Sequence, residues 1–394
     1  MAKHFDPRKV LKQVSNQLLE EFFTRHNLLR DVPWKELTET DIEPVFDAWQ
    51  RLPDAQRKEV QVILQDVNEL ADERGLSVMA EEVQKWCPHR MPEFTGWVGR
   101  CDKAMWVYLN MPNAFEEVAL FARADALAAG RYWITRNSLP RQPLQVDAQM
   151  KQALAAALTG FYKPSQGRGH WCHVEHYQRA NGAEYFFAYL DDYPDRHLVF
   201  EDSGEMKPRA DRYAFINVFV YSPTDGGLDL YAQGGKKVHG PLQELFCKAT
   251  LGIDIGPADP DQAAYQLDGL KDPGFPLPTD PADRVAEARI RRLRLELVDA
   301  PRQRITLDAD LNAGKDDIHR MIQQYLNSQN VPLARLRVTL VTFRLTFMHN
   351  GDGWRPKTLT FDVSYPNSCD LKSRTDEMRA VGERCLKLWR ITHE

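Results

Sequence analysis

Residues 170–189 read HWCHVEHYQRANGAEYFFAY, and this stretch decides where the chain changes from helices to strands. Asn181-Gly182 is the strongest short signal of a β-hairpin, because both residues tolerate the positive φ angles of a tight turn. Runs rich in aromatic and other β-prone residues flank it. We predict an α+β fold: an N-terminal all-helical domain followed by mixed, mainly antiparallel β-sheet modules with flanking helices.

Upstream of the hairpin, apolar residues recur at helical spacing. Asp6-Pro7 supplies a cap and a first-turn proline for a helix that runs to Asn27. A helix opened by Pro53 ends at Gly75, because glycine is typical of a helix C-terminus. The helical domain covers 1–162. Its later helices are predicted over 77–86, 101–109, 113–129 and 146–160.

Downstream of the hairpin, short strands alternate with turn residues. A hairpin-rich α+β domain covers 163–256, and a Pro-rich linker covers 257–285, where prolines and glycines interrupt every periodic pattern. A C-terminal module covers 286–394 and has the order ββαββα. Its strands are predicted at 289–298, 303–308, 335–348 and 357–364, and its helices at 315–327 and 373–389.

The composition is that of a folded chain: 43% hydrophobic and 27% charged residues exclude a disordered or collagen-like protein. No apolar run approaches the length needed to cross a bilayer, and the first residues lack the apolar core of a secretory signal. Six scattered cysteines form no CxxC pair, as expected of reduced thiols. We expect a cytoplasmic protein with no membrane partner.

The hairpin contains a cluster of metal-binding residue types. With Asn181-Gly182 as a two-residue turn, Cys172 pairs with Asp191, and His170 shares their face of the sheet. His176 lies on that face too, but about 13 Å from Cys172 along the strand, too far to share one ion. The candidate metal ligands are therefore His170, Cys172 and Asp191, a set that zinc accepts. The favoured alternative is that they are half-buried sheet residues, with Cys172 acting as a small hydrophobe.

A second pattern lies just downstream. Pro194-Asp195 followed by Glu205-Met206-Lys207 resembles the PD…ExK motif of restriction-type nucleases. The resemblance implies catalytic roles for Asp195, Glu205 and Lys207, with magnesium on the carboxylates and the lysine orienting or activating water. In that family the ExK residues usually lie within an apolar strand, whereas here Gly204 and Pro208 bracket them. The alternative is a solvated acidic loop between two hairpins.

The charge is unevenly distributed. Residues 284–344 contain eleven Arg and one Lys against two Glu and five Asp, a local balance of +5, which leaves −10 on the rest of the chain. A basic module of this kind predicts contact with nucleic-acid phosphates. Strand alternation divides these arginines between two sheet faces, which favours pairing with acidic neighbours as the alternative. The candidate phosphate-binding residues are Arg291, Arg292, Arg294, Arg335, Arg337 and Arg344.

Three functional hypotheses follow. The leading one is a cytosolic binding or scaffold protein, or a sensor, of a multicomponent bacterial system, whose helical domain contacts a protein partner and whose basic module contacts nucleic acid. Its general character suits a mobile-element or antiviral defence locus, although no motif identifies one. The second is a metal-dependent nuclease or hydrolase using residues 170–207. The third is a small-ligand sensor with a pocket between sheet and helices. The absence of nucleotide, zincin or hydrolase signatures favours a protein that is not an enzyme. No cofactor is expected, except zinc or magnesium under the second hypothesis.

Overall fold

The computed structural model describes residues 5–127, 133–201, 203–256, 263–300, 302–310, 317–326, 329, 331–348 and 357–392. The chain forms two compact units, residues 1–127 and 128–394. The predicted α+β fold is confirmed, because the helical N-terminal region is followed by two antiparallel sheets with flanking helices. Within the described residues, no helix combines the length and the apolar character that spanning a bilayer requires.

The first unit is helical. Asp6 caps the first helix by accepting hydrogen bonds from the backbone N–H groups of Arg8 and Lys9. The single helix predicted up to Asn27 is in fact two helices, because the chain turns at Ser15, whose N–H donates to the Asp102 carboxylate at 2.7 Å. The helices are α1 (Pro7–Gln13), α2 (Asn16–Arg25), α3 (Glu43–Gln50), α4 (Asp54–Leu70), α5 (Glu73–Trp86), α6 (Met91–Gly96), α7 (Arg100–Asn110) and α8 (Pro112–Leu127).

Gly75 does not end a helix, as the sequence predicted, but lies in the first turn of α5. The preceding helix ends at Leu70, and Asp72 caps the next one by accepting from the Gly75 N–H at 2.9 Å. A Cβ at position 75 would lie 2.3 Å from the Leu70 carbonyl oxygen. Glycine is therefore required by the close approach of the two helix ends, which local periodicity does not reveal.

The first sheet of the second unit is antiparallel throughout, in the order β1-β5-β4-β3-β2. One face is covered by two helices, whose side chains form a core with the strands. The largest members of this core are Tyr162, Phe186, Phe219, Tyr221 and Phe246. The elements are β1 (Trp133–Arg136), α9 (Ala148–Gln166), β2 (Cys172–Gln178), β3 (Glu184–Phe200), β4 (Met206–Ser222), β5 (Gly227–Tyr231) and α10 (Lys236–Phe246).

The second sheet has the order β10-β9-β8-β6-β7 and confirms the predicted ββαββα module, with one short strand added. Phe343, Phe361 and Trp389 form the centre of its core. The predicted helix over 315–327 begins and ends at residues outside the described ones. The elements are β6 (Val285–Leu297), β7 (Arg304–Asp308), α11 (Asp317–Tyr325), β8 (Leu336–Phe347), β9 (Thr358–Ser364), β10 (Ser368–Cys369) and α12 (Asp376–Leu388).

The two sheets are joined within the second unit. The Thr135 N–H on edge strand β1 donates to the Asn367 carbonyl at 2.8 Å, beside β10. Arg179 at the first hairpin pairs with Asp376 of α12 at 2.7 Å. Of the predicted linker 257–285, residues 257–262 lie outside the described residues, and Leu267 and Leu270 are buried in the core of the second sheet.

Candidate functional site

Strands β3 and β4 extend well beyond their neighbours in the first sheet. Strand β2 pairs with β3 only as far as Leu190, and β5 pairs with β4 only from Val218 onward. Past an irregularity between Asp191 and Pro194, β3 and β4 pair with each other alone, ending at Phe200 opposite Met206. We call residues 194–212 the ribbon. The alternative prediction of an acidic loop is therefore wrong for most of the ribbon, because the ribbon is strand on both sides of a short turn.

The base of the ribbon is fixed to α9. The Tyr193 hydroxyl donates to the Gln166 carbonyl, and the Arg168 guanidinium donates to the Asp192 carboxylate at 2.9 Å. The same guanidinium lies 4.0 Å from the centre of the Phe215 ring. At the other end, Gly204 takes a φ of +79° and closes the turn. The ribbon is thus held firmly where it leaves the sheet.

The two faces of the ribbon differ in chemistry. Strand pairing places the even-numbered residues on one face and the odd-numbered residues on the other. The odd face carries Asp195 and Asp211, which are paired with His197 at 3.4 Å and Arg209 at 2.7 Å. The described strand residues of the even face include no carboxylate, and each of them is exposed. They are Pro194, Arg196, Leu198, Phe200, Met206, Pro208, Ala210 and Arg212.

The even face is apolar toward its tip. Leu198 is 67% exposed, Phe200 76% and Met206 53%, so three large apolar side chains stand together in water. Arg196 and Arg212 lie toward the base, and the Arg212 guanidinium is 5.6 Å from the ring centre of exposed Trp171. These residues were not predicted from the sequence, where the local signal is the apolar run Leu198-Val199-Phe200.

The nuclease-like residues lie along the ribbon but are not brought together. Asp195 lies opposite Asp211, and Lys207 lies opposite Val199, so the two pairs are four residues apart along the ribbon. This separates Asp195 from Lys207 by about 13 Å along the strands. Lys207 instead lies 3.0 Å from Glu205, and the hydrogen bonds that it donates to this carboxylate and to Glu201 raise its pKa. The lysine therefore offsets part of the negative charge of the turn.

The first hairpin has a different register from the predicted one. The Arg179 N–H donates to the Ala183 carbonyl, and the Gly182 N–H donates to the Arg179 carbonyl, so three residues rather than two form the loop. Gly182 takes a φ of +81°, as in a type I turn followed by a left-handed residue. The predicted two-residue turn is wrong. Cys172 consequently pairs with Leu190 and not with Asp191.

This register separates the proposed zinc ligands. Cys172 faces the core beside Leu190, and burial raises the pKa of its thiol to about 12. His170 is exposed, while the Asp191 carboxylate accepts the Trp171 N–H at 2.8 Å and lies 3.7 Å from Arg212. In the part of the chain that is described, no three His, Cys, Asp or Glu side chains are placed to hold a metal ion.

The arginines of the second sheet are arranged differently from the predicted alternation. Pairing of β6 with β8 skips Arg291 on one strand and Thr339 on the other, which are β-bulges. Each bulge shifts the alternation by one residue, so Arg337 and Arg344 lie on one face although strict alternation separates them. We call this face, opposite the core, the arginine face. Its arginines are Arg289, Arg292, Arg294, Arg304, Arg337 and Arg344.

Acidic neighbours neutralise part of the arginine face. Arg292 donates to Asp308 at 2.9 Å, and Arg304 donates to Glu296 at 2.6 Å. Arg337 lies 5.1 Å from the centre of the Tyr365 ring. Two of the candidate arginines lie off this face: Arg291 is the bulged residue, 3.9 Å from Asp308, and Arg335 precedes β8 and donates to Asp299 at 2.8 Å.

Arg294 and Arg344 complete the six candidates. Both lie on the arginine face and are partly exposed. Within the described residues, Arg294 makes no ion pair. The structure therefore brings four of the six sequence-selected arginines to one face and leaves Arg291 and Arg335 at its margin.

Comparisons with known proteins add no family to these observations. No protein-family model matches the chain, and no curated protein matches its sequence.

Proposed function

We propose that this chain is a binding protein that docks onto a protein partner through the even face of the ribbon. The observation that carries the proposal is the chemistry of that face: three exposed large apolar side chains and two arginines, with no carboxylate among its described strand residues. The proposal keeps the binding or scaffold class expected from the sequence. A protein contact through the helical domain stays a separate prediction, as does a role in a bacterial multicomponent system.

Energetics favour an occupant for this face. An isolated two-stranded ribbon is marginal in water, because it has no sheet or helix to cover its apolar side chains. Burying Leu198, Phe200 and Met206 against a partner would contribute about 1.5–3 kcal/mol for each side chain, before the cost of association. The firmly held base limits that cost, because only the part of the ribbon beyond the base remains to be ordered on binding.

The size of the face argues against a second copy of this chain as the occupant. Six residue steps along the ribbon span about 20 Å, and a face of that length and about 10 Å width offers only a few hundred Å². Stable complexes bury about 800 Å² on each partner. Pairing of two even faces alone would therefore be too small, whereas a concave groove would also cover the sides of the side chains that project from this face.

The charges on the ribbon indicate which groups the partner's groove should carry. Arg196 and Arg212 on the even face favour carboxylates at the rim of the partner. The turn carries Glu201 and Glu205, which would repel a polyanion that met the ribbon tip first. The partner expected is a protein with an apolar groove flanked by acidic residues.

The edges of the ribbon are poorly suited to strand addition. Pro194 and Pro208 lack the N–H group that a new strand would need, one on each edge. Their partners across the ribbon are Arg212 and Leu198. Docking should therefore use the even face and not the backbone edges.

Site-specific photo-crosslinking tests this proposal. A benzophenone amino acid replaces Phe200 on the even face, and a matched variant replaces Val199 on the odd face, both in the full chain in its native cells. We expect one discrete protein adduct from position 200 and none from position 199. Arg196→Glu should reduce its yield about tenfold, because the charge would then oppose the acidic rim. The adduct peptide should contain carboxylates beside apolar residues.

Three results would overturn the proposal: equal adducts from positions 199 and 200, an adduct that is a second copy of the chain, or an adduct with nucleic acid. The Val199 variant tests accessibility, because both probes lie at the same end of the ribbon. Unchanged crosslinking in Arg196→Glu would remove the acidic rim from the description.

The arginine face supports a second candidate function, contact with nucleic-acid phosphates. The observation that favours it is the convergence of arginines on one face through the two bulges. Affinity for a fluorescent single-stranded or duplex oligonucleotide should fall steeply as salt rises. Arg294→Glu combined with Arg337→Glu should abolish binding, whereas Arg196→Glu on the ribbon should leave it unchanged. Absence of binding at low salt would reject this candidate.

A further inference from the structure

A cavity of about 730 Å³ lies between the first sheet and α12, entirely within the second unit. It is of the size that small-molecule sites have in other proteins. Residues from both sheets line it, including Thr135 and Asp229 of the first sheet and Lys372, Arg379 and Glu383 near or on α12. None of the ribbon residues lines the cavity, which plays no part in the docking proposal.

The floor of the cavity is a closed network of charges. Lys372 Nζ lies 2.5 Å from the Asp229 carboxylate and 3.5 Å from that of Glu383. Arg379 donates to Glu383 at 3.2 Å, and the Thr135 hydroxyl donates to Asp229 at 2.6 Å. The two positive charges balance the two negative ones. The floor therefore offers fixed hydrogen-bonding groups without surplus charge.

The rim carries charge that the floor does not balance. Arg141 and Lys387 are exposed, and within the described part of the chain neither makes an ion pair. Lys387 lies one turn after Glu383 on α12, but the Glu383 carboxylate is already engaged by Lys372 and Arg379. The rim also carries one carboxylate, Asp225, which accepts from the Ser222 hydroxyl at 3.3 Å. The rim therefore carries two cations and one anion, a surplus of one positive charge.

The segment that bears Arg141 is held in place from beneath. Tyr221 is fully buried, and its hydroxyl donates to the Pro140 carbonyl at 2.5 Å and accepts the Gln142 N–H at 3.3 Å. The Leu139 N–H donates to the Gly226 carbonyl at 2.9 Å, which ties this segment to the β4–β5 loop. Arg141 is therefore carried on a fixed backbone, as a preorganised binding residue would be.

We propose that this cavity binds a small organic anion, with Arg141 and Lys387 holding its phosphate or carboxylate group. Guanidinium groups bind either anion through paired hydrogen bonds, and an ammonium adds a point charge. The body of the ligand would lie over the floor network, beside Val220 and Leu386. A free inorganic ion would leave most of a cavity of this volume unused.

Titration calorimetry on the full chain tests the assignment, using adenosine monophosphate, glutarate and inorganic phosphate as probes. We expect binding of adenosine monophosphate, of glutarate, or of both, which separates a phosphate ligand from a carboxylate one. Arg141→Ala combined with Lys387→Ala should lower the affinity about tenfold or more, because two charge-assisted contacts are lost. Lys163→Ala is the matched control, since this exposed lysine of α9 does not line the cavity.

The double variant should unfold at the same urea concentration as the natural chain, because both side chains are exposed and unpaired among the described residues. Unchanged affinity in that folded variant would overturn the proposal. So would the absence of binding by all three probes at millimolar concentration, or inorganic phosphate binding as tightly as adenosine monophosphate. Failure of the ribbon proposal would leave these outcomes unaffected.

Discussion

Cys172 illustrates how burial controls the chemistry of one residue. The pKa of its thiol is raised to about 12 from an ordinary value of 9.0, because burial disfavours the thiolate. At pH 8 about one thiol in ten thousand would then be ionised, and the thiolate is the reactive form. We predict that iodoacetamide leaves Cys172 unmodified in the folded chain and modifies it in urea, as measured by peptide mass spectrometry. Equal rates in the two states would contradict the half-buried, core-facing placement of Cys172.

The lowered pKa of Glu383 predicts how the stability of the folded chain changes in acid. Burial alone would raise its pKa, but the charges of Lys372 and Arg379 outweigh burial and hold the pKa below the ordinary value of 4.5. A carboxylate with a lowered folded-state pKa contributes stability above its unfolded pKa and loses that contribution as pH falls through the folded one. The free energy of unfolding should therefore decline below about pH 4.5.

Glu383→Gln isolates this contribution. The variant should be less stable than the natural chain at neutral pH, and the difference should shrink as pH falls below 4, when measured by urea unfolding. Glu244→Gln provides a comparison on α10, outside the cavity. A difference between Glu383→Gln and the natural chain that stays constant down to pH 2 would contradict the assigned pKa direction.

At the scale of elements, α10 depends on one aromatic residue. Phe246 is fully buried, and its ring stacks on Phe219 at 4.8 Å and meets Phe186 edge-on at 5.3 Å. We predict that Phe246→Ala lowers the free energy of unfolding by about 3–5 kcal/mol, because it removes apolar burial and leaves a cavity. Lys248→Ala, at an exposed neighbour, should leave stability unchanged in the same urea titration. A loss for Phe246→Ala below 1 kcal/mol would show that α10 does not dock in this way.

Elements were the level at which sequence patterns predicted best. The ββαββα order followed from alternating apolar residues and helical periodicity, which are local properties. The β-bulges at Arg291 and Thr339 could not be predicted, because a bulge depends on the partner strand. The loop of the first hairpin failed for a related reason, since Asn-Gly is compatible with both two-residue and three-residue connections. A one-residue error there moved Cys172 from one face of the sheet to the other.

At the scale of the whole molecule, the cavity lies beyond local sequence reasoning. Its walls come from residues between Thr135 and Thr392, and none of them forms a recognisable motif. Only the general expectation of a pocket between sheet and helices pointed in this direction. The ribbon was less predictable from the sequence than the ββαββα order and more predictable than the cavity. Its apolar run Leu198-Val199-Phe200 was present in the sequence, but its length beyond the sheet is set by where β2 and β5 end.

Lys372 links the two sheets of the second unit through its pair with Asp229. Burial lowers the pKa of Lys372, but the carboxylates of Asp229 and Glu383 together outweigh it, so the pKa is raised and the amine stays charged. We predict that Lys372→Met costs about 3–5 kcal/mol of unfolding free energy, because it leaves a buried carboxylate without its cation. Lys207→Met, at an exposed pair on the ribbon, should leave stability unchanged. Equal urea midpoints for both variants would contradict this role.

The bulge at Thr339 also determines where strand β8 tolerates the deletion of one residue. Deletions inside a strand normally turn every following side chain to the wrong face. Thr339 is the surplus residue opposite β6, so its removal would restore regular pairing while Arg337 and Phe343 keep their faces. We expect the chain lacking Thr339 to fold, and the chain lacking Val341 to be insoluble, as judged by circular dichroism and yield. Because the bulge keeps one residue out of the regular pairing, strand β8 should tolerate the loss of one residue. Length changes of this kind can separate related sheets.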